Sequence, residues 1–549
     1  MATSPAAAAV VDMINGLTDD VLLLILGFLP TARDVARTSA LSRRWRHLPG
    51  LAPALRFAVC PSVICPYDMI SAMGAAIADA RRLASAVDSV LSRRDRCDEP
   101  DVKDLEISFV YRAVGGGGGG ADAFRYDGDS FRGFWILYKC KGDAVTQARV
   151  DAWLGFAGRR VTGTFALELT PMAVASRLRV EIPRSERLEA IRLVLAGQVL
   201  RLPDAAADGA FSSLTDVLLG HAHLLHHKGD DLRLGQLLSS SCCPHLRRLQ
   251  LMDLAGLVYL RLDAAGTLEE LRLINLGLNW MQVDAPGLRK LAVVNTRLHL
   301  ATAATVSAPR LQEVTYEYDD HRRGGVRHQM VLDGNGAARL RVLSHGVPGT
   351  DNNRAAAWFL RHFAGAADRL DVGLEMDFDK GKLDDIPNLA HIIDLRIRVS
   401  ISPDTTGTHS IGASVSKLIA KCSRIEHLAI DIDEKAGDCI LLGCKCGHNT
   451  GWQNEVISLE RLRTAEIHDF AAFDDQIELV CALISSSPAL EKMTVALPLP
   501  YVEERERQDG ERVFLSVPYC GGRWTPCARN RRARGFGSFT QYEWTPLRL

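Results

Sequence analysis

The most regular feature of the chain is a six-residue phrase with hydrophobic residues, mostly Leu, at its first, fourth and sixth positions. Copies start at residues 246, 268, 288 and 311, which are 22, 20 and 23 residues apart. Further copies occupy residues 102–107, 188–193, 214–219, 425–430, 462–467 and 490–495. Because alternate side chains of a strand point to opposite faces, the pattern predicts a series of β-strands, each buried on one side.

A single copy of the phrase has no partner against which to bury its apolar row, so neighbouring copies must stack into a parallel sheet. The spacing lies in the range of leucine-rich repeats, roughly 20–29 residues. Asn275 follows one phrase at the turn position where such repeats often carry Asn. The sequence therefore predicts an irregular α/β solenoid, with a leucine-rich repeat body at residues 100–410, final repeats and a cap at 411–497, and a tail at 498–549.

The polar positions of the predicted strands would line the concave side of this solenoid, which is a broad binding surface. The candidate target-binding residues are Arg248, Gln250, Glu270, Arg272, Lys290, Glu313, Thr315 and Glu317. Their mixed charge suits a protein or a small molecule of mixed polarity better than a polyanion. The alternative interpretation is an ordinary solvated face.

A short helix is predicted within residues 17–30. Thr18 is a candidate cap, two acids follow in the first turn, and Pro30 is a stop signal. Leu22, Ile25, Leu26 and Leu29 form one apolar stripe, and further apolar residues fall on other sides of the helix: Leu23, Leu24 and Phe28.

The next stretch, residues 32–48, places Leu41 and Trp45 among several arginines, and Ser42 is a candidate cap for a last short helix. The result is a three-helix unit of about forty residues, which is marginal alone and usually needs a partner to cover its apolar surface. The sequence thus predicts a docking module at residues 12–55.

The residues of this module resemble the F-box signature of plant proteins of the grass F-box and leucine-rich repeat type. The matching positions are Leu17, Asp19, Asp20, Val21, Leu22, Ile25, Leu29, Pro30 and the run from Ala36 to Arg46. The chain departs from the signature at Thr18, where Pro is usual, and at Leu24, where Glu is common.

In that family the module binds a Skp-type adaptor, which bridges to a cullin scaffold and a ubiquitin-conjugating enzyme. The resemblance implies adaptor contacts from Leu17, Asp20, Leu22, Ile25, Leu29, Pro30, Leu41 and Trp45. The alternative for each residue is that it only holds the helices together, and one residue can serve both roles.

Residues 411–497 resemble the FBD region that often follows the repeats in plant F-box proteins, especially at 457–470 and 487–495. A helix is predicted over residues 474–484. Its buried face would carry Ile477, Val480, Cys481 and Ile484.

Composition narrows the function classes further. The 549 residues carry 65 basic and 66 acidic side chains, a formal net charge of −1, so no overall field attracts nucleic acid or an anionic membrane. The longest apolar run, from Val21 to Leu29, is too short to span a bilayer, which takes about 20 residues. The start of the chain lacks a basic segment, and we expect an intracellular protein of the nucleus, the cytoplasm or both.

Two clusters of metal-binding residue types need separate consideration. Cys439, Cys444, Cys446 and His448 have a spacing that fits zinc knuckles poorly. His221, His223, His226 and His227 follow a predicted strand without acids or cysteines nearby and are better explained as a loop. The glycine run 115–120 lacks the Lys and Ser or Thr of a phosphate loop. We therefore expect neither a metal nor a cofactor.

The sequence as a whole predicts a noncatalytic substrate receptor of an SCF-type ubiquitin ligase. It would dock on the adaptor through its N-terminal module and hold an unknown target protein on its repeats. The alternatives are a leucine-rich repeat interaction protein without a ligase role and a metal-dependent enzyme at Cys439 to His448.

Overall fold

A computed structural model defines two units by their internal contacts. The first comprises Met1–Val114, Tyr126–His227 and Ser240–Leu246, and the second Gly115–Arg125, Lys228–Ser239 and Arg247–Leu549. The structure describes residues 17–59, 69–96, 100–110, 142–170, 173–174, 177–203, 211–225, 232–264, 266–298, 304–320, 330–333, 339–346, 360–361, 367–376, 386–401, 409–433, 436, 457–471, 473–497, 522–527 and 540–547. Within these ranges, no helix has the length and apolar character that crossing a lipid bilayer requires.

The first unit opens with short helices. These are α1 (Asp19–Gly27), α2 (Ala32–Arg37) and α3 (Leu48–Leu51), with single 3-10 turns at Thr38–Ala40 and Arg44–Arg46.

Neither of the two predicted helix caps, Thr18 and Ser42, makes a side-chain cap hydrogen bond. Thr18 occupies the N-cap position of α1 but makes no side-chain cap hydrogen bond. Thr31, which was not predicted as a cap, does cap α2, since its hydroxyl accepts from the Asp34 N–H at 3.2 Å. Ser42 does not cap a helix, because the following turn begins after Arg43.

The rest of the first unit is a ladder of parallel strands with two longer helices. The elements are β1 (Ala54–Ala58), α4 (Met69–Arg96), β2 (Asp104–Ser108), α5 (Gln147–Arg160), β3 (Thr164–Glu168), β4 (Arg179–Glu181), β5 (Ala190–Arg201) and β6 (Asp216–Leu224). The pairing order is β1, β2, β3, β5 and β6, all parallel, while β4 pairs with the end of β5. Parallel neighbours need long crossovers, and α4 and α5 supply two of them.

The second unit contains a longer parallel ladder. Its strands, in pairing order, are β7 (Arg248–Ala255), β9 (Glu270–Ile274), β12 (Lys290–Val294), β15 (Glu313–Asp320), β17 (Arg339–Gly346), β18 (Arg369–Met376), β19 (Asp394–Ile401), β20 (His427–Asp431), β21 (Thr464–His468) and β22 (Lys492–Leu497). The ladder ends in two antiparallel strands, β24 (Thr540–Pro546) beside β22 and β23 (Gly522–Cys527) beside β24.

All ten copies of the repeated phrase form strands of these ladders. Each strand begins two residues after the start of its phrase, as β7 begins at Arg248 for the copy that starts at 246. The fourth and sixth positions are buried in β7, β9 and β12, and their neighbours along each strand are half-buried or exposed, except Met252, which is buried. The prediction of strands buried on one side is confirmed.

A second set of parallel strands in this unit was not predicted. It consists of β8 (Tyr259–Asp263), β11 (Trp280–Asp284), β14 (Ala304–Ser307) and β16 (Met330–Asp333), with a small pair formed by β10 (Gly277–Leu278) and β13 (Arg297–Leu298). The helix α6 (Arg233–Leu237) packs against β8 so closely that a Cβ on Gly235 would lie 1.8 Å from the Arg261 carbonyl oxygen. Alternating apolar residues in β8 and β11 were the available signal.

A left-handed residue recurs at one position of the repeat, directly after β9, β12 and β21 and inside the longer strands β6 and β7. Asn275 has φ of 52°, and the equivalent position, seven residues after the phrase start, also has positive φ in other copies. These residues are His221, Asp253, Asn295 and Asp469. Asn and Asp tolerate this conformation better than most residues. The backbone conformation at Asn275 therefore recurs at equivalent positions that mostly carry other residues.

Two helices lie in the C-terminal part of the described chain, α7 (Gly412–Ala420) and α8 (Asp474–Ser485). The helix predicted over 474–484 is thus confirmed, but its buried face is rotated. Leu479 and Leu483 are buried with Val480 and Ile484, whereas Ile477 and Cys481 are half-buried.

The buried carboxyl of Asp475 joins these two helices. It accepts hydrogen bonds from the Ile411 N–H at 2.8 Å, the Gly412 N–H at 3.1 Å and the Ser410 hydroxyl. Ile411 is the N-cap residue of α7 and has no capping side chain, so Asp475 satisfies the first N–H groups of a helix to which it does not belong. Burial raises the pKa of Asp475, and the three donors oppose this shift.

We expect Asp475→Ala to lower the free energy of unfolding by about 2–4 kcal/mol, because buried donors lose their acceptor. Urea denaturation and hydrogen exchange across α7 would measure the loss. The control is Asp474→Ala, which removes an exposed acid from the same helical turn. Equal losses in both variants would contradict the capping role.

The pH dependence of this difference has a defined sign. Because the folded pKa of Asp475 is raised, its stabilising contribution is fully present below the unfolded pKa and is lost as the pH rises through the folded pKa. The advantage of the wild type over Asp475→Ala should therefore shrink toward neutral pH.

Candidate interaction surfaces

The N-terminal helical segment, residues 17–52, has its own small core. Its buried side chains are Leu22, Leu26, Val35, Trp45, Leu48 and Ala52, and three half-buried leucines pack against them: Leu17, Leu23 and Leu29. Arg44 ties the end of this segment to its start, since its Nε lies 2.9 Å from Asp19 Oδ1 and its Nη2 also donates to the Leu17 carbonyl.

A second apolar stripe of α1 faces away from this core. Val21, Leu24, Ile25 and Phe28 are spaced i, i+3, i+4 and i+7, and they are 39%, 61%, 39% and 79% exposed. Leu41 is a further exposed leucine of the segment, at 68%. Helix α1 is therefore apolar on two sides, and the segment buries one of them.

The structure separates the predicted adaptor contacts into two groups. Leu22 and Trp45 are buried in the core, and Leu17 and Leu29 are half-buried against it. Asp20, Ile25, Pro30 and Leu41 are exposed. The predicted single stripe is wrong in one respect. Ile25 is rotated by about 100° around the helix axis from Leu26 and lies on the exposed side. Contact with an adaptor remains a prediction for all eight.

The predicted target-binding residues of the second unit do come together. In-register pairing aligns Arg248, Glu270, Lys290 and Glu313 in one row across β7, β9, β12 and β15. A second row on the same face contains Gln250, Arg272, Ala292 and Thr315. Glu317 pairs with Val294 through the backbone, but its side chain lies outside the described part.

Charge alternates along the first row. Lys290 Nζ lies 3.5 Å from Glu313 Oε2. The residues directly before Arg248 and Glu270 also form an ion pair, in which Arg247 Nη2 lies 3.6 Å from Glu269 Oε1. Such exposed pairs contribute little to stability, roughly 0–1 kcal/mol. The face is polar, of mixed sign, and accessible.

A denser ion network on β18 to β21 was missed by the sequence analysis. Arg396 donates to both oxygens of Asp431 at 2.9 Å, and Arg398 Nη2 lies 3.0 Å from Asp371 Oδ2. His468 Nε2 lies 3.4 Å from Glu466 Oε2. The hydrogen bonds to Asp431 raise the pKa of Arg396, so this guanidinium stays charged.

A signal for this network was present in the sequence. Residues 392–397 repeat the phrase with Ile at its first and last positions, and β19 begins two residues into it. Arg396 lies between the last two apolar positions of this phrase, and Arg398 follows directly after it. This stretch fits the phrase as well as residues 425–430 do, and including it would have placed both arginines on the polar side of a strand.

Several candidate chemical groups lie elsewhere. Cys439, Cys444, Cys446, His448, His226, His227 and the glycine run 115–120 lie outside the described residues. His221 and His223 belong to β6 itself and not to a loop after it, which corrects the prediction. Burial raises the pKa of the Cys243 and Cys422 thiols to about 12, so both stay protonated at neutral pH.

The two sides of α1 should respond differently to truncation. Leu26→Ala removes a fully buried side chain and should lower the free energy of unfolding of the segment by about 2–5 kcal/mol. Phe28→Ala removes an exposed ring and should change it by less than about 0.5 kcal/mol. Hydrogen exchange of α1 in both variants checks this, and comparable losses would contradict the assignment of the two sides.

Comparison with known proteins adds one finding. A stretch of 48 residues is 52% identical to an Arabidopsis thaliana protein described as an FBD-associated F-box protein. The match covers 9% of this chain and 11% of the Arabidopsis protein. No family model matches the chain. Over one short stretch, the chain is thus similar to a plant F-box protein of the FBD-associated kind.

Proposed function

We propose that this chain is the substrate-receptor subunit of an SCF-type cullin ubiquitin ligase. Its N-terminal segment acts as a three-helix F-box module that docks on a Skp-type adaptor. Its strand ladders act as an irregular leucine-rich repeat solenoid that holds a target protein for ubiquitin transfer. The proposal places the protein in the nucleus, the cytoplasm or both.

The observation that carries the proposal is the second apolar stripe of α1. A helix that closes a core on one side and presents Leu24 and Phe28 to water on the other is typical of a docking helix. Burying Leu24, Phe28 and Leu41 on a partner contributes roughly 5–9 kcal/mol before association costs. The similarity to an F-box protein and the resemblance of residues 17–46 to the F-box signature point to the adaptor as that partner.

The polar faces of the ladders support the second half of the proposal. Parallel stacking of short strands creates an extended surface with room for a protein target. Both signs of charge are present in the rows on β7, β9, β12 and β15 and in the ion network on β18 to β21. This distribution favours a protein surface of mixed charge over nucleic acid.

Catalysis in this proposal comes from proximity. The receptor raises the local concentration of target lysines near the charged ubiquitin carrier. The chain supplies neither a nucleophile nor a cofactor to the transfer, so its contribution is geometric.

The proposal predicts that Ile25→Asp combined with Phe28→Asp abolishes binding of a purified Skp-type adaptor to the full chain. Loss of such central apolar contacts should raise Kd by at least about thirtyfold. Isothermal titration calorimetry measures this. Both side chains are exposed, so the variant should keep its fold, unlike a variant at buried Leu22.

The matched control is Ala36→Asp combined with Ala40→Asp, which adds the same charge at exposed positions of the same segment. Wild-type affinity in the control, together with loss in the stripe variant, supports the docking role. A folded wild-type chain that does not bind the adaptor would instead favour a leucine-rich repeat interaction protein without a ligase role.

A further inference from the structure

Arg56 connects the docking helix to the first strand ladder. It lies in the middle of β1, and its Nη1 is 2.6 Å from the Gly27 carbonyl oxygen and 3.3 Å from the Leu29 carbonyl oxygen. Gly27 is the last residue of α1. A side chain of the sheet therefore binds the C-terminal end of the helix.

The chemistry of a helix terminus explains why a guanidinium suits this place. The last carbonyl groups of a helix have no partner within the helix and carry the negative end of its dipole. Arg presents several N–H donors in a fixed planar fork, whereas Lys offers one compact charge. One Arg side chain can thus hold two carbonyl groups at a fixed angle.

The strand side of this connection is held in place independently. Arg56 Nε lies 3.6 Å from Glu106 Oε1, and Glu106 is the in-register neighbour of Arg56 on β2. The Pro53 carbonyl, just before β1, accepts from the N–H groups of Lys103 and Asp104 at 2.8 and 3.2 Å.

The chain between the helices and β1 is also fixed. Arg94 of α4 is 2% exposed and donates to the Ala52 carbonyl at 2.6 Å. Its second contact is the Pro100 carbonyl at 3.2 Å. Ala52 is also part of the core of the N-terminal segment. Arg94 therefore attaches this core to α4 without any contribution from Arg56.

We propose that Arg56 is a positioning residue that fixes the direction of the docking helix relative to the first strand ladder. The inference rests on the proposed function, in which α1 binds the adaptor. The hydrogen bonds of Arg56 to the N-terminal segment go to backbone carbonyl groups and not to the side chains of the exposed stripe. Arg56 would thereby set the orientation of a bound adaptor relative to the ladder, and hence the orientation of the ubiquitin carrier.

The test measures a distance within the full chain. A nitroxide is attached to p-acetylphenylalanine at Ala36 of α2 and at Arg82 of α4, both exposed positions, and pulsed electron resonance gives the distance distribution. The wild type should give a narrow distribution. Arg56→Ala should widen it by about twofold, because the helix end loses its fixed contact.

The matched control is Arg37→Ala. Arg37 pairs with Asp34 at 3.5 Å inside the N-terminal segment and is well exposed, so its removal costs an ion pair without touching the strand. An unchanged width in the control, with a widened distribution in Arg56→Ala, supports the positioning role. Equal widths in the two variants would overturn it.

Two further readouts separate the possible failures. The adaptor Kd of Arg56→Ala should stay within about twofold of the wild type, because the docking stripe is intact. A lower melting temperature with a narrow distribution would indicate a merely structural role and overturn the proposal. If Arg56→Ala does not fold, Arg56→Lys is measured instead. The width of its distance distribution is compared with that of Arg37→Ala, and a wider distribution supports the positioning role. A wild-type chain that does not bind the adaptor would overturn the proposed function, whatever the distances show.

Discussion

The fold depends on a constraint that applies to every strand of the ladders: its inward side chains are buried by those of its neighbours along the ladder. The registers in β7, β9 and β12 align Leu249, Leu271 and Leu291 in one row, and Leu251, Leu273 and Val293 in the next. Each row is continuous, so stability is shared between adjacent strands and no strand is independent. The same alignment brings the outward polar residues into rows, so the proposed binding surface follows from how the core is built.

The N-terminal segment must also bury its apolar side chains, but it has few residues with which to form a core. At its size a domain is marginal alone, and its core consists of six buried side chains. Helix α1 has more apolar residues than that core accommodates, and the remainder stays in water. A segment of this kind gains from a partner on one side and from a rigid support on the other. The contacts of Arg44 and Arg56 provide attachment through charge and hydrogen bonds where apolar surface is limited.

The sequence was informative where the pattern had a strict period. All ten phrases became strands with the same offset, because a buried row tolerates few substitutions. The strands β1, β3, β17 and β18 were not among them, since a small or polar residue occupies their first phrase position, and β19 was overlooked although it fits the phrase. The predicted solenoid range began at residue 100, yet the ladder already includes β1 at Ala54.

Contacts between distant residues were beyond the reach of a periodic pattern. Arg56, Asp475 and the two arginines of the ion network each bond to residues that are 25 or more positions away. Such pairs depend on which elements become neighbours after folding. The exposed side of α1 was foreseen in outline, but assignment of Ile25 to the wrong stripe shows that two apolar sides of one helix are hard to tell apart when most of its residues are apolar.

The antiparallel strands that follow β22 have a consequence for solubility. A parallel ladder ends in a row of unpaired backbone groups, which is a template for the edge of another molecule. Here β24 reverses direction against β22, and among the described strands β23 pairs with β24 alone. Gly522 lets the start of β23 lie under the Trp544 ring, since a Cβ there would be 2.1 Å from the ring. Pro526 gives this last strand one donor fewer. The end of the ladder is thus a poor template for edge-to-edge polymerisation, a protection that a long repetitive sheet needs.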